Sequence, residues 1–174
     1  YELGYQYTGN NWHAGANFYY MAYDNQIAQT GQTSDIGEAL TTNIKDSYRM
    51  GVELTAGWAP LSWMSVEGNA ALSQNKIKDF DEYLGDHVNH YDKSTLAYSP
   101  SAILNGFLDF HYQGFNATWH TNFVSKQYVD NSESSERQLP SFSQTDINMS
   151  YTINLKGCGL RSVKLGLDLN NIFD

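Results

Sequence analysis

The sequence predicts an all-β chain: part of an antiparallel, up-and-down transmembrane β-barrel with about eight consecutive strands. Three observations predict it. Apolar and polar side chains alternate with a period of two along about eight segments. The connections between those segments alternate strictly between short and long. Aromatic residues gather near segment ends, as they do at membrane borders. Composition agrees. Of 174 residues, 14% are aromatic and only 17% charged, against roughly a quarter charged in soluble domains. Mean hydropathy is nonetheless −0.52. No run of about eighteen apolar residues occurs, so no transmembrane helix is expected. A barrel wall needs none, because its lipid-facing and lumen-facing residues average out.

The first segment is Tyr1 to Tyr7, with Tyr1, Leu3, Tyr5 and Tyr7 on one face. Thr8-Gly9-Asn10-Asn11 then signals a turn. The second runs from Trp12 to Ile27, carrying Ala14, Ala16, Phe18, Tyr20 and Ala22 on one side. The third, Ser47 to Ala59, alternates most cleanly: Tyr48, Met50, Val52, Leu54, Ala56 and Trp58 oppose Arg49, Gly51, Glu53, Thr55 and Gly57. Pro60-Leu61-Ser62 connects it to the fourth, Trp63 to Ile77. The fifth is Tyr98 to Tyr112, and Gln113-Gly114 is a two-residue hairpin signal leading into the sixth, from Phe115 to about Lys126. The seventh is Gln144 to Leu155. Lys156-Gly157-Cys158-Gly159 turns the chain into the eighth, around Val163 to Asn170.

The long polar connections are residues 28–46, 78–97 and 128–141. With the short ones they describe a sheet with tight turns at one end and loops at the other, the arrangement of outer-membrane barrels. Trp12, Trp58, Trp63 and Phe115 lie beside the short turns; Tyr20, Tyr23, Tyr48 and Tyr98 lie nearer the long loops. A soluble β-sandwich also alternates, but its strands are shorter and its connections do not sort by parity. A small closed barrel would begin with a long outer connection, whereas the first one here is short. The chain is therefore expected to be one partial barrel domain, residues 1–174, lacking strands at both ends.

The net charge of −9 argues against nucleic-acid binding, which requires basic stripes. The single Cys158 excludes an internal disulfide, and a turn cysteine of this kind is expected to be a free thiol. No phosphate loop, Cys/His metal pattern or nucleophile with its base occurs, so no enzyme, metal site or cofactor is expected. Asn116-Ala117-Thr118 and Asn148-Met149-Ser150 match glycosylation acceptors but fall mid-strand and read as chance.

Several stretches resemble the C-terminal half of TonB-dependent outer-membrane receptors. Asn17-Phe18-Tyr19-Tyr20-Met21-Ala22-Tyr23-Asp24-Asn25-Gln26-Ile27 looks like an outgoing strand of that family, and Tyr48-Arg49-Met50-Gly51-Val52-Glu53-Leu54 like its R-x-G-x-E strand. Leu139-Pro140-Ser141-Phe142 with Asp146 and Tyr151 resembles another strand. Leu165-Gly166-Leu167-Asp168-Leu169-Asn170-Asn171-Ile172-Phe173-Asp174 resembles the segment before the last strand. The resemblance implies a barrel of about twenty-two strands, of which this chain would be about strands fourteen to twenty-one. The plug domain and final strand would lie outside it. The flavour resembles that of receptors for iron complexes in Bacteroidetes.

The function implied is active import across the bacterial (Gram-negative) outer membrane of a scarce ligand: a siderophore or iron complex, haem or cobalamin. Partners implied are membrane lipid, the receptor's own plug, TonB and a small-molecule ligand such as a metal chelate. The alternatives are an oligosaccharide-importing receptor of the same family, or a passive or non-transport barrel such as a porin or adhesin.

Outer-loop candidates for ligand binding are Gln29, Asp86, His87 and His90. The last three belong to an acidic stretch with Asp79, Asp81, Glu82 and Asp92 that could meet a cation or simply be solvated. Residues from Asp130 to Arg137 could also reach a ligand. Lumen- or plug-facing candidates are Arg49, Glu53, Glu67, Asn105, Asp109, His111 and Asp146. Ion pairs between neighbours, such as Arg49 with Glu67, are the simpler role for these charges, and Tyr19 and Tyr23 could pack on the plug.

Overall fold

A computed structural model describes residues 1–84, 87–155 and 159–173. The strands are β1 (Glu2–Thr8), β2 (Trp12–Thr33), β3 (Ala39–Leu61), β4 (Met64–Leu84), β5 (His87–Thr95), β6 (Ala102–Tyr112), β7 (Phe115–Val124), β8 (Gln127–Tyr128), β9 (Gln138–Leu139), β10 (Phe142–Asn154) and β11 (Ser162–Leu169). One sheet runs β1-β2-β3-β4-β6-β7-β10-β11, with β5 paired to β4 off that path; β8 and β9 form a separate ribbon. Every pairing is antiparallel. The path is therefore a meander in which each wall strand lies beside its neighbours in sequence, as the eight alternating segments predict.

Register turns the period-two pattern into rows. One row reads Trp12, Trp58, Val66, Leu108, Trp119, Ile147, Leu169. Another reads Tyr5, Ala16, Leu54, Ala70, Leu104, Phe123. The intervening rows are polar: Gln6, Gly15, Thr55, Asn69, Asn105, Asn122, Gln144. A one-residue slip would exchange the two faces, so the alternation itself pins the register.

The apolar rows are not a core. Leu54 is 40% exposed and Leu167 51%, and Val52, Leu104, Leu108 and Ile147 are also left partly or largely open. Among the described residues the buried hydrophobic ones are Ala28, Ile44, Tyr48, Ile77 and Phe80, at or beyond the upper end of the wall. A sheet with one apolar face turned outward and no core behind it suits a membrane rather than water.

The turns lie at one end, as expected. Gln113 and Gly114 both have positive φ, 46° and 86°, the two-residue type I′ geometry that Gly at the second position favours. A Cβ on Gly114 would stand 2.7 Å from the Thr152 carbonyl oxygen. Gly114→Ala is expected to lower barrel stability by roughly 1–3 kcal/mol, read as an earlier loss of the folded band in heated semi-native gels; an unchanged midpoint would contradict this geometry.

The upper end differs from the sequence expectation. β2, β3 and β4 are 22, 23 and 21 residues long, about twice the roughly ten that cross hydrocarbon. Residues 28–46 are largely the continued β2–β3 hairpin, and 78–97 largely the β4–β5 hairpin, rather than loops. Of the three long connections, 125–141 stays irregular, holding the β8–β9 ribbon. Alternation hides the continuation because its phase resets. On the face opposite the apolar row that carries Tyr48, buried positions are odd at Ser47 and Ile77 but even at Ala28, Ile44, Phe80 and Glu82. Asn25 and Asp79, at the change on β2 and β4, have left-handed φ of 57° and 54°, a conformation that Asn and Asp tolerate.

Candidate functional site

The wall's polar face is braced by short side chains reaching across strands. Asn17 Nδ2 donates to Glu2 Oε1 at 2.7 Å and to Glu53 Oε2 at 3.2 Å. Asn105 donates to Asn69 and accepts from Asn122, each at 2.9 Å. Asp109 accepts from Thr118 Oγ1 at 2.5 Å. Phe107, an apolar residue on this face, stacks on His120 with ring centroids 4.4 Å apart. Asp146 accepts from the Asn171 backbone N–H at 2.9 Å and from Gln144. His111 stands opposite Asn116 and is exposed near the short turns.

Arg49 and Glu67 are not neighbours. Arg49 pairs in register with Asn75, and Glu67 with Gly57, so they stand eight positions apart on β4, about 26 Å along the strand. Arg49 instead lies over the Tyr23 ring, 5.7 Å from its centroid. Its Nε is buried without a hydrogen-bond partner among the described residues. Arg49, Glu53, Glu2, Tyr19, Asn75 and Tyr98 line an open cavity of about 400 Å³ on the polar face, high on the wall. One guanidinium beside two carboxylates makes this cavity suited to a polar surface carrying both signs.

Above it, the two tall hairpins and the 125–141 connection close into one packed assembly. Ala28, Ile44, Ile77 and Phe80 form its core, with Tyr91 and Leu96 against it. β5 has a free edge, and unpaired N–H groups on an edge invite other strands. Here two side chains and a backbone carbonyl of the connection occupy it and the residues that follow it. Glu133 Oε1 accepts from the Thr95 N–H at 2.7 Å, Asn131 Oδ1 from the Ala97 N–H at 2.7 Å, and the Tyr128 carbonyl from the Tyr98 N–H at 2.8 Å. Asn131 also donates to the Gln29 carbonyl at 2.9 Å, and its own carbonyl accepts from the buried Ser94 hydroxyl. One asparagine thus joins both hairpins.

Burial alone would raise the Glu133 carboxyl, but hydrogen bonds from Lys76 and Thr95 outweigh it and hold the group below its ordinary range. Its stabilisation is present above the unfolded value of about 4.3 and fades as pH falls through the lower folded value. Acidification is therefore expected to lower the protection factor of the Thr95 amide, its exchange corrected for the intrinsic pH dependence, and Glu133→Gln to remove that loss. An unchanged Thr95 protection factor in acid would count against this clamp.

The acidic stretch divides between two faces of the β4–β5 hairpin. Glu82, 2% exposed, faces inward, accepting from Arg137 at 2.8 Å and from Tyr91 at 3.0 Å; Arg137 also meets Asp130 at 2.7 Å. Asp79, Asp81 and Asp92 face outward around His90, at 3.6, 2.7 and 3.5 Å. The hydrogen bond to Asp81 raises the His90 pKa above its ordinary value. Nuclear magnetic resonance titration should place His90 above about 6.5, and Asp81→Asn should lower it. Since the folded value is the raised one, the His90 contribution is full below the unfolded value and is lost as pH climbs through the folded one.

The ligand candidates are not gathered in one place. Gln29 contributes its carbonyl to the packed assembly, His87 is exposed opposite Leu84, His90 is held by aspartates, and Asp86 lies outside the described residues, as does Cys158. No group of three or more His, Cys, Asp or Glu that could hold a metal occurs among the described residues. Asn131 and Glu133, which organise the assembly, carry no individual sequence signal, because their partners are 34 to 102 positions away.

Comparison with known proteins adds the family context. The family described as "TonB dependent receptor-like, beta-barrel" matches residues 1–172. The fold resembles the copper transporter OprC, with a TM-score of 0.71 at 19% identity over 99% of this chain and 24% of that one. It resembles a single-residue variant of the ferric enterobactin receptor PfeA of Pseudomonas aeruginosa in complex with enterobactin (TM-score 0.67, 19% identity, 99% and 25% covered). It also resembles the ferric-catecholate import receptor Fiu of E. coli K12 in its closed form (TM-score 0.67, 14% identity, 99% and 23% covered). The chain thus spans about a quarter of the structures it matches. No curated protein sequence matches it.

Proposed function

This chain belongs to the TonB-dependent receptor-like β-barrel family, and from that premise we propose that it forms part of the wall and outer assembly of an energised import receptor in the Gram-negative outer membrane. The ligand class is a scarce metal chelate, with a siderophore or other iron complex first and haem or cobalamin next. The observation carrying this reading is the one-sided meander crowned by a packed outer assembly. Its apolar face meets lipid; its polar face is turned to a lumen and carries a charged cavity directly beneath the outer hairpins.

In this reading the lumen holds the receptor's plug, and Arg49 and Glu53 are positions where plug or ligand docks. Glu67, Asn105, Asp109, His111 and Asp146 brace the wall or line the passage below. The outer hairpins supply a fixed rim, with Gln29, His87 and His90 at or near it. TonB acts through the plug, outside this chain. The ligand chemistry is supported by relatives of the same fold described as importing copper or binding ferric catecholates.

The test uses the full-length protein in cells with and without TonB, supplied with labelled ferric siderophore, haem or cyanocobalamin. Accumulation of one of these only when TonB is present is expected. Uptake independent of TonB would make the protein a passive barrel, and uptake of none would remove the ligand class.

A further inference from the structure

The outward face ends at its upper border in a cationic site above an apolar groove. Its upper apolar rows hold Phe18, Val52 and Leu72, then Tyr20 and Met50. The next row brings Ala22, Tyr48 and Lys76 together, and the row above it reads Asp24, Asp46, Lys78, Lys93. The Tyr48 ring is fixed: it stacks on Tyr20 at 6.0 Å between centroids, and its hydroxyl donates to Gln74 Oε1 at 3.0 Å. Lys78 and Lys93 both lie over that ring, their Nζ atoms 6.0 and 5.1 Å from the centroid.

Lys78 and Lys93 are directly opposed across β4 and β5, an arrangement of like charges that is unfavourable by itself. Among the described residues neither ammonium has a carboxylate within ion-pair distance, although Asp79 and Asp92 follow and precede the two lysines in the chain. Asp46 stands beside Lys78 in the row yet makes no ion pair with it among the described residues, and the third ammonium, Lys76, is engaged by Glu133 at 2.5 Å. In a chain of net charge −9, two lysines without an ion-pair partner among the described residues are thus held together where the apolar face stops. Just below, an open groove of about 680 Å³ lies against Leu3, Phe18, Tyr20, Met50, Val52 and Leu72. A molecule matching both parts carries an anionic head and a hydrocarbon tail.

We propose that Lys78 and Lys93, positioned by the Tyr48 ring, bind the phosphate headgroup of an outer-leaflet lipid, with an acyl chain lying in the groove beneath. The two ammonium groups share the phosphate, Tyr48 holds them at its rim, and the neutralised pair no longer repels. Basic residues at a membrane surface attract anionic lipid in this way.

The full-length protein, delipidated in neutral detergent, can be titrated with phosphatidic acid and with diacylglycerol of the same chains, reading bound lipid by native mass spectrometry. Phosphatidic acid should be retained preferentially. The double variant Lys78→Gln/Lys93→Gln should weaken its retention about tenfold, while the matching arginine pair should preserve it. Lys164→Gln, on the polar face near the short turns, should leave it unchanged. Equal binding of the two lipids, or undiminished binding by the glutamine variant, would overturn the proposal. Full competition by millimolar inorganic phosphate would reassign the site to free phosphate.

Discussion

Leu54→Arg is expected to destabilise the barrel by about 2–4 kcal/mol, while Thr55→Arg, one residue along the same strand, costs under about 1. Leu54 lies near mid-height in β3, in the row with Ala16, Ala70 and Leu104, and 40% of its surface is open. In a soluble protein an arginine at such an exposed position would be nearly neutral. In hydrocarbon the guanidinium loses its hydration, and mid-height is where that loss is greatest. Thr55 faces the polar side, among Gln6, Asn69 and Asn105, where an arginine stays hydrated. The readout is the temperature at which the full-length protein loses its folded, compact form on semi-native gels. Equal costs for the two variants would sink the assignment of the apolar face to lipid.

Phe80→Ala should unlock the outer assembly without loosening the wall. Phe80 is 1% exposed, stacks on Tyr91 with centroids 6.2 Å apart, and packs with Ala28, Ile44 and Ile77. Truncating a fully buried phenylalanine costs about 3–5 kcal/mol, because lost transfer energy and the remaining cavity add. Above the β3–β4 ladder, which ends at Asp46 and Lys78, the two hairpins meet through this cluster and the Asn131 bonds, so the cost should fall on their mutual packing. Amides of Tyr91, Ser94 and Ala97 should exchange much faster, whereas those of Val66, Leu108 and Ile147 in the wall should not change. Unaltered protection at Ser94 would mean that the hairpins stand independently.

The contrast between these variants follows the boundary of what could be read from the chain alone. The wall was legible because its determinants are local. Alternation at positions such as Tyr48 to Trp58 decides which side chains share a face, and Gln113-Gly114 carries its own turn geometry. The resemblance at Tyr48 to Leu54 and Leu165 to Asp174 pointed to the family that the comparisons establish. The outer assembly was not legible, and residues 28–46 and 78–97 read as loops. A single left-handed residue, Asn25 or Asp79, shifts the phase of alternation, so a strand that continues looks like a strand that stops. Arg49 with Glu67 failed for another reason: opposite charges on adjacent strands meet only if register brings them level, and neither residue reveals that alone.

From the residue order alone follow the two-sided wall, its meander path and its short-turn end, because each depends on side chains two positions apart or on turns a few residues long. Folding in three dimensions decided the rest. It set the height of the hairpins, sent Glu82 inward while Asp81 turned out, and brought Asn131 between Gln29 and Ala97. It also left Lys78 and Lys93 facing each other above the apolar groove. Those outcomes depend on contacts between distant segments, whose energies arise only when the sheet has brought them together, and no short stretch of sequence encodes them.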